Sequence, residues 1–257
     1  MNANIKMIVT DLDDTLVRAD KTISDYTKTV LRKCREAGIK VVYATGRGGS
    51  AERIAPSELF DAKITMNGAI AKIDEAIVYK RLVPYALARP ILMACDNRGL
   101  KCASEVSGMH YANFDVNKEW NLHDGFKIVD FFHHKIDGEK LYVIVNSPED
   151  IAFIERYLSE QLHLIMGLGY LAQIMHKEAS KSLAVAEVAK IWGIQQSEIV
   201  AFGDDFNDMD LLVYAGIGVA VGNARDEVKA VADYVCDTNE NDGLAKWLEG
   251  NCKCCAL

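Results

Sequence analysis

The chain has 257 residues, half of them hydrophobic and about a quarter charged, which is enough for one large domain or two modest ones around an ample core. A net charge of −8 argues against a general nucleic-acid or anionic-membrane binder, because such a partner's phosphates would meet an acidic surface. No apolar run approaches the roughly 20 residues that span a bilayer, and residues 1–6 lack the charged and apolar regions of a signal peptide, so a cytosolic protein is expected.

The first apolar run, residues 5–9, reads as a buried strand and leads directly into Asp11-Leu12-Asp13-Asp14-Thr15. In extended backbone the side chains of Asp11 and Asp13 share a face, and two acids at a strand's carboxyl end repel unless a cation lies between them. Magnesium is the natural occupant, although an isolated D-x-D-x-T would read as a solvated acidic turn. A helix over 24–37 follows, with Ser24 as its N-cap and Gly38 just past its end, then a strand over 39–44 that completes a βαβ unit. Thr45-Gly46-Arg47 comes next. A helix over 50–59 and a strand over 63–66 continue the alternation, which predicts a parallel sheet with helices on both faces.

After Asn67-Gly68 the pattern changes. Residues 70–73 and 76–79 flank Asp74-Glu75 and read as a hairpin, and beyond Pro84 one helix, irregular strands and turns follow. A strand over 138–145, a helix over 148–158 and strands over 162–166 and 170–175 complete a second module of helices on an antiparallel sheet, residues 82–178. From Ser180 the βα alternation resumes: a helix to Trp192, a strand over 199–202, a helix over 207–214, a strand over 216–221 and a helix from Ala224. The expected organisation is therefore a discontinuous first domain, 1–81 with 179–257, interrupted by the second module.

A second acidic cluster, Gly203-Asp204-Asp205-Phe206-Asn207-Asp208, also follows an apolar run. If the two strands are parallel neighbours, Asp11, Asp13, Asp204 and Asp208 converge at one sheet edge and offer the hard oxygen ligands that Mg²⁺ prefers. Lys181, between the two clusters, would by itself read as a solvated charge in the first turn of a helix, where it opposes the helix dipole. The ordered set of D-x-D-x-T at 11–15, T-G-R at 45–47, Lys181 and G-D-D-x-N-D at 203–208 resembles the haloacid dehalogenase superfamily. The long insert after T-G-R and the Asn67-Gly68-Ala69 turn make it similar to the Cof-type sugar-phosphatase branch.

That resemblance implies a Rossmann-like α/β core with a parallel sheet, an inserted α/β cap that covers the substrate, and Mg²⁺-dependent hydrolysis of a small phosphomonoester. Asp11 would be the nucleophile and Asp13 the general acid and base, with Lys181 neutralising phosphoryl charge. Thr45 would hydrogen-bond the phosphoryl group, with Gly46, Arg47 and Asn207 near the substrate. For Arg47 a structural salt bridge is the equal alternative. Asp204 would ligate the metal with the Asp11 carboxylate and the Asp13 backbone carbonyl, and Asp208 would support that shell. A phosphomutase of the same superfamily, or a phosphosugar-sensing module without turnover, are the competing readings.

The remaining signals are weaker. Cys34, Cys95, Cys102 and Cys236 sit singly, as buried thiols in a reduced compartment do. The tail from Cys252 to Leu257 ends in a C-a-a-X-like pattern, but Cys255 is not aliphatic and no polybasic run precedes it, so a frayed, oxidisable tail is expected rather than a prenylated one. His133, His134 and His176 lack a spaced set of further ligands and read as surface or cap residues rather than a zinc site.

Overall fold

The computed structural model describes residues 4–120, 125–167 and 169–252. The chain divides into two compact units, Met1–Lys80 with Ser180–Leu257, and Arg81–Ala179. The first opens with β1 (Met7–Thr10), α1 (Asp25–Glu36), β2 (Lys40–Ala44), β3 (Ala62–Thr65), β4 (Ile70–Ile73) and β5 (Ala76–Lys80). The second holds α2 (Tyr85–Asn97), β6 (Cys102–Val106), β7 (Met109–Ala112), α3 (Val116–Trp120), β8 (Gly125–Ile128), β9 (Lys140–Ile144), α4 (Pro148–Glu155), β10 (Leu162–Gly167) and β11 (Leu171–His176). The chain then returns to the first unit through α5 (Lys181–Trp192), β12 (Ile199–Gly203), α6 (Met209–Tyr214), β13 (Ile217–Ala220), α7 (Asp226–Val231), β14 (Tyr234–Val235) and α8 (Gly243–Asn251).

In the first unit the strands run in the order β14-β13-β12-β1-β2-β3-β4-β5. From β14 to β3 every pairing is parallel. The hairpin expected over 70–79 forms as β4 and β5, and it extends this sheet at one edge, with β4 antiparallel to both β3 and β5. Asp74 and Glu75 at its turn both have left-handed backbone, φ 46° and 66°, and so short a turn can join only antiparallel strands.

Alternation along β1 sets the two core layers. Ile8 faces Val30 and Leu31 of α1 and Leu244 and Leu248 of α8, whereas Met7 and Val9 face Val185 and Val188 of α5 and Leu211 of α6. All four β1 residues are buried, as expected of a strand covered on both faces. Ser24 caps α1, its Oγ accepting the Thr27 amide at 3.0 Å. The helix expected over 50–59 is instead two 3₁₀ turns, Gly49–Arg53 and Ser57–Leu59, separated at Pro56, which disfavours helical backbone in the residue before it. Cys252 is not frayed: it is buried in the layer beneath α1 and α8. The C-a-a-X-like pattern at 254–257 lies outside the described residues.

Asp61 ties α1 to the strands. Its carboxylate accepts both Arg35 Nε and Nη2 at 3.1 Å and the Val41 amide at 2.9 Å. Burial works to raise its pKa, but the Arg35 hydrogen bonds and the Val41 amide outweigh it and hold it below the ordinary value of 3.8. A depressed carboxylate contributes stability above its unfolded pKa and loses it as pH falls through the folded one. Asp61→Asn should therefore cost roughly 1 kcal/mol or less at pH 7, the range of a partly exposed pair. The gap from wild type should close as denaturant melts are taken below pH 3.8, and a gap that stayed constant would exclude this ion pair as its source.

The second unit has the strand order β10-β11-β9-β6-β7-β8, antiparallel except for the parallel β7–β8 pair. Ile91 and Leu92 of α2 and Ile154 of α4 pack on Leu141, Val143 and Ile174. Phe114, Val116 and Trp120 gather around Tyr142 in a separate cluster. Among the described residues no helix is long and apolar enough to cross a membrane.

Candidate active site

β1 and β12 are parallel neighbours in the register Thr10↔Phe202, and the Asp11 amide donates to the Phe202 carbonyl at 3.0 Å. Asp11 and Asp204 therefore leave the sheet side by side at its carboxyl edge, where parallel α/β sheets place their sites. Thr45 leaves the same edge from β2, its amide bonded to the Ile64 carbonyl. Carboxylate oxygens of Asp11, Asp204 and Asp208 all lie within 4.8 Å of one another. Lys181, the first residue of α5, reaches between two of them: its Nζ is 2.6 Å from both Asp11 Oδ1 and Asp208 Oδ1, and its side chain is 0% exposed. It is the opposite of the solvated surface charge that its helix position alone suggests.

The second acidic segment folds back on itself. A Cβ on Gly203 would stand 2.4 Å from the Asp208 Cβ, so only glycine lets Asp208 lie across the end of β12. There Asp208 Oδ2 accepts the amides of Asp204 at 3.1 Å and Asp205 at 3.2 Å within a 3₁₀ turn, Phe206–Asp208, that precedes α6. Asp204 Oδ1 accepts the Thr15 hydroxyl at 2.5 Å. Thr15 was visible as the last residue of D-x-D-x-T, but the motif alone assigned it no partner.

Three carboxylates facing one ammonium leave an excess of two negative charges in a buried place. Burial first, then Asp208 and Asp204 against the pull of Lys181, push the Asp11 carboxyl well above the usual range. Burial also lifts Asp204 to about 7, against the Thr15 hydrogen bond. For Lys181 burial acts downward, but Asp11 and Asp208 outweigh it and its pKa rises, so the ammonium form is held. Hard oxygen donors, close convergence and two uncompensated charges suit a divalent cation.

The Asp13 carboxylate is not one of the three that converge. It lies in a clamp formed by Arg47, with Nε to Oδ2 at 2.5 Å and Nη2 to Oδ1 at 2.7 Å, and Lys21, with Nζ to Oδ1 at 2.9 Å. Burial works to raise its pKa, yet the hydrogen bonds from Arg47 and Lys21 bring it below the usual carboxylate range. The structure thus shows the salt bridge that was one reading of Arg47. Lys21 carries no sequence signal: it stands in a turn, at φ 63°, and the fold brings it onto Asp13.

A bracket of left-handed backbone supports Thr45-Gly46-Arg47. Met66, Asn67 and Gly68 have φ of 51°, 51° and 93°, and the Met66 and Asn67 amides donate to the carbonyls of Arg47 and Thr45, both at 2.9 Å. Such backbone in a buried methionine costs of order 1–3 kcal/mol and persists only where its surroundings impose it. A Cβ on Gly46 would come 2.9 Å from Asn67 Oδ1, and that same oxygen accepts Asn207 Nδ2 at 2.9 Å. Asn67 thereby links the T-G-R loop to the second acidic segment. Of the histidines, His133 is exposed and paired with Asp130, whereas His134 is buried and packs on Tyr111.

The fold and the acidic edge define a hydrolase core of the kind that presents an aspartate at the end of its first strand. The family description of haloacid dehalogenase-like hydrolases matches residues 8–248, and the chain belongs to that family. Among its relatives, the 5-amino-6-(5-phospho-D-ribitylamino)uracil phosphatase YcsE of Bacillus subtilis is 28% identical, with 95% of each chain covered. The phosphatase YitU of the same organism, named for the same compound, is 26% identical over 95% of this chain and 96% of its own. The solved structure of the haloacid dehalogenase superfamily phosphatase BT1666 of Bacteroides thetaiotaomicron superposes with a TM-score of 0.84 at 28% identity, covering 96% of this chain and 94% of that one. The subclass IIB sugar phosphatase BT4131 gives a TM-score of 0.80 at 25% identity, covering 95% and 98%.

Proposed function

We propose that this chain is a Mg²⁺-dependent phosphatase of the Cof-type branch that hydrolyses small phosphomonoesters, sugar phosphates or phosphorylated metabolites, through a phosphoaspartyl intermediate. The observation that carries the reading is the convergence of Asp11, Asp204 and Asp208 around the buried Lys181 at one sheet edge. The relatives named for phosphorylated compounds and the sugar phosphatase BT4131 support the substrate class.

In this reading Asp11, Asp204 and the backbone carbonyl of Asp13 hold the cation, with Asp208 behind them. A bound Mg²⁺ supplies charge neutralisation at the phosphoryl oxygens, without which an anionic nucleophile is repelled. One Asp11 oxygen attacks phosphorus as the ester oxygen departs with a proton from Asp13. Water then attacks the phosphoaspartate, giving its proton to Asp13 and restoring Asp11. Asp13 rests ionised between Arg47 and Lys21, the state the second half requires, and must take up a proton before the first. Lys181 holds Asp11 in place and faces the developing charge, while Thr45, Gly46, Arg47 and Asn207 contact the phosphoryl end. Residues 82–178 select the substrate.

The test is phosphate release from a panel of phosphorylated sugars and metabolites with Mg²⁺, and again in excess chelator. Release with Mg²⁺ that stops on chelation is expected. Undiminished release in chelator would remove the cation from the reading, and isomer formation without free phosphate would make the chain a mutase.

A further inference from the structure

We propose that Asp210 is a positioning residue for Lys181, holding the lysine's backbone while Asp208 holds its ammonium. The inference deepens the phosphatase reading and, for its kinetic part, rests on it.

Asp210 stands in the first turn of α6, two residues after Asp208. Its Oδ2 accepts the Ser180 hydroxyl at 2.5 Å, the Ser182 hydroxyl at 2.8 Å and the Ser182 amide at 3.3 Å. The two residues flanking Lys181 are therefore gathered on one oxygen, and their hydroxyls lie 2.8 Å apart. Ser180 Oγ also accepts the Leu183 amide at 3.3 Å as the N-cap of α5. On its other side Ser180 is packed against backbone: a Cβ on Gly68, at φ +93°, would fall 2.1 Å from the Ser180 carbonyl oxygen.

The arrangement answers a problem created by Lys181 itself. A cation in the first turn opposes the positive end of the helix dipole, and α5 has no acidic residue of its own there. Asp210 brings the missing negative charge from the neighbouring helix. Because Asp208 and Asp210 belong to one short segment, a single rigid piece of chain sets both the start of α5 and the far end of the Lys181 side chain. Lys181 must reach Asp11 and Asp208 at 2.6 Å each, so little freedom in its Cα position is tolerable. A misplacement of about 1 Å in such a group can cost on the order of 10² in rate.

The experiment compares wild type, Asp210→Ala, Ser182→Ala and the double variant, with Ser24→Ala as a control that removes the N-cap bond of α1. Turnover of a small aryl phosphate with Mg²⁺ should fall about 10- to 100-fold in kcat for Asp210→Ala, with KM little changed. Ser182→Ala should cost nothing further on that background, because the two act through one contact. Independently of turnover, mass-spectrometric amine labelling of folded protein should find Lys181 protected in wild type and Ser24→Ala, and several-fold more reactive in Asp210→Ala. Unchanged Lys181 labelling overturns the assignment, as does an unchanged kcat in an active wild type. A wild type inactive on every phosphoester would instead sink the phosphatase reading, and the labelling would still decide the role of Asp210.

Discussion

Asp11→Asn should give a folded protein that releases no measurable phosphate. The amide is nearly isosteric, so packing at the end of β1 is preserved, and one buried negative charge is removed from a place where burial already penalises it. The fold should therefore melt close to wild type. In the proposed mechanism the lost group is the nucleophile, and removing a nucleophile from a catalytic unit costs on the order of 10⁵ to 10⁶ in rate. Rapid acid quench followed by intact mass measurement should trap a phosphorylated chain in wild type and none in the variant. Near-normal turnover by Asp11→Asn would show that attack comes from elsewhere.

Lys181→Met should damage both stability and activity. The substitution leaves the Asp11 and Asp208 carboxylates buried, 8% and 1% exposed, without the ammonium that lies between them. Removing one partner of a buried ion pair typically costs 3–5 kcal/mol, because the stranded charge has no other compensation. Measured by denaturant melts in chelator, the variant should lose about that amount at neutral pH. Burial holds the Asp11 carboxyl well above the usual carboxylate range, so the deficit should shrink as pH falls and that carboxyl is neutralised. A loss below about 1 kcal/mol would mean that water reaches the two carboxylates and that Lys181 is not their main support. Phosphate release should be lost over the whole pH range, since lowering the pH cannot restore an ammonium to the phosphoryl group.

Both experiments turn on residues whose legibility in the sequence differs. Asp11 and Asp204 were legible because each follows a run of buried strand residues, and the side-by-side placement of β1 and β12 brings them to one edge. Lys181 was legible only through motif order: its surroundings in sequence read as the start of an ordinary exposed helix turn, and its burial is created by Gly68, Asp11 and Asp208, each distant in the chain. Lys21 was illegible, since nothing in a turn sequence announces which carboxylate the turn will meet. The fold was readable wherever apolar periodicity was strong. It misled at 50–59, where the expected helix is interrupted at Pro56, and at the sheet edge the 70–79 hairpin was readable but its antiparallel pairing with β3 was not. Cys252 was misjudged for a related reason: proximity to the end of a sequence says little about whether the last helix turns its final residues inward.

The position of β1 in the sheet has a consequence for how the chain is made. β1 pairs on one side with β2, about 30 residues later, and on the other with β12, about 190 residues later. At roughly 5–20 residues per second of synthesis, the innermost strand waits on the order of 10 to 40 seconds with one row of backbone donors and acceptors unmet. All of Arg81–Ala179, a unit with its own buried cluster, emerges from the ribosome in that interval. An apolar strand with an open side is a template for pairing with another nascent chain. Chain order thus makes Asp11 the first of the three converging acids to appear, and one side of its strand stays open until Ile199 arrives.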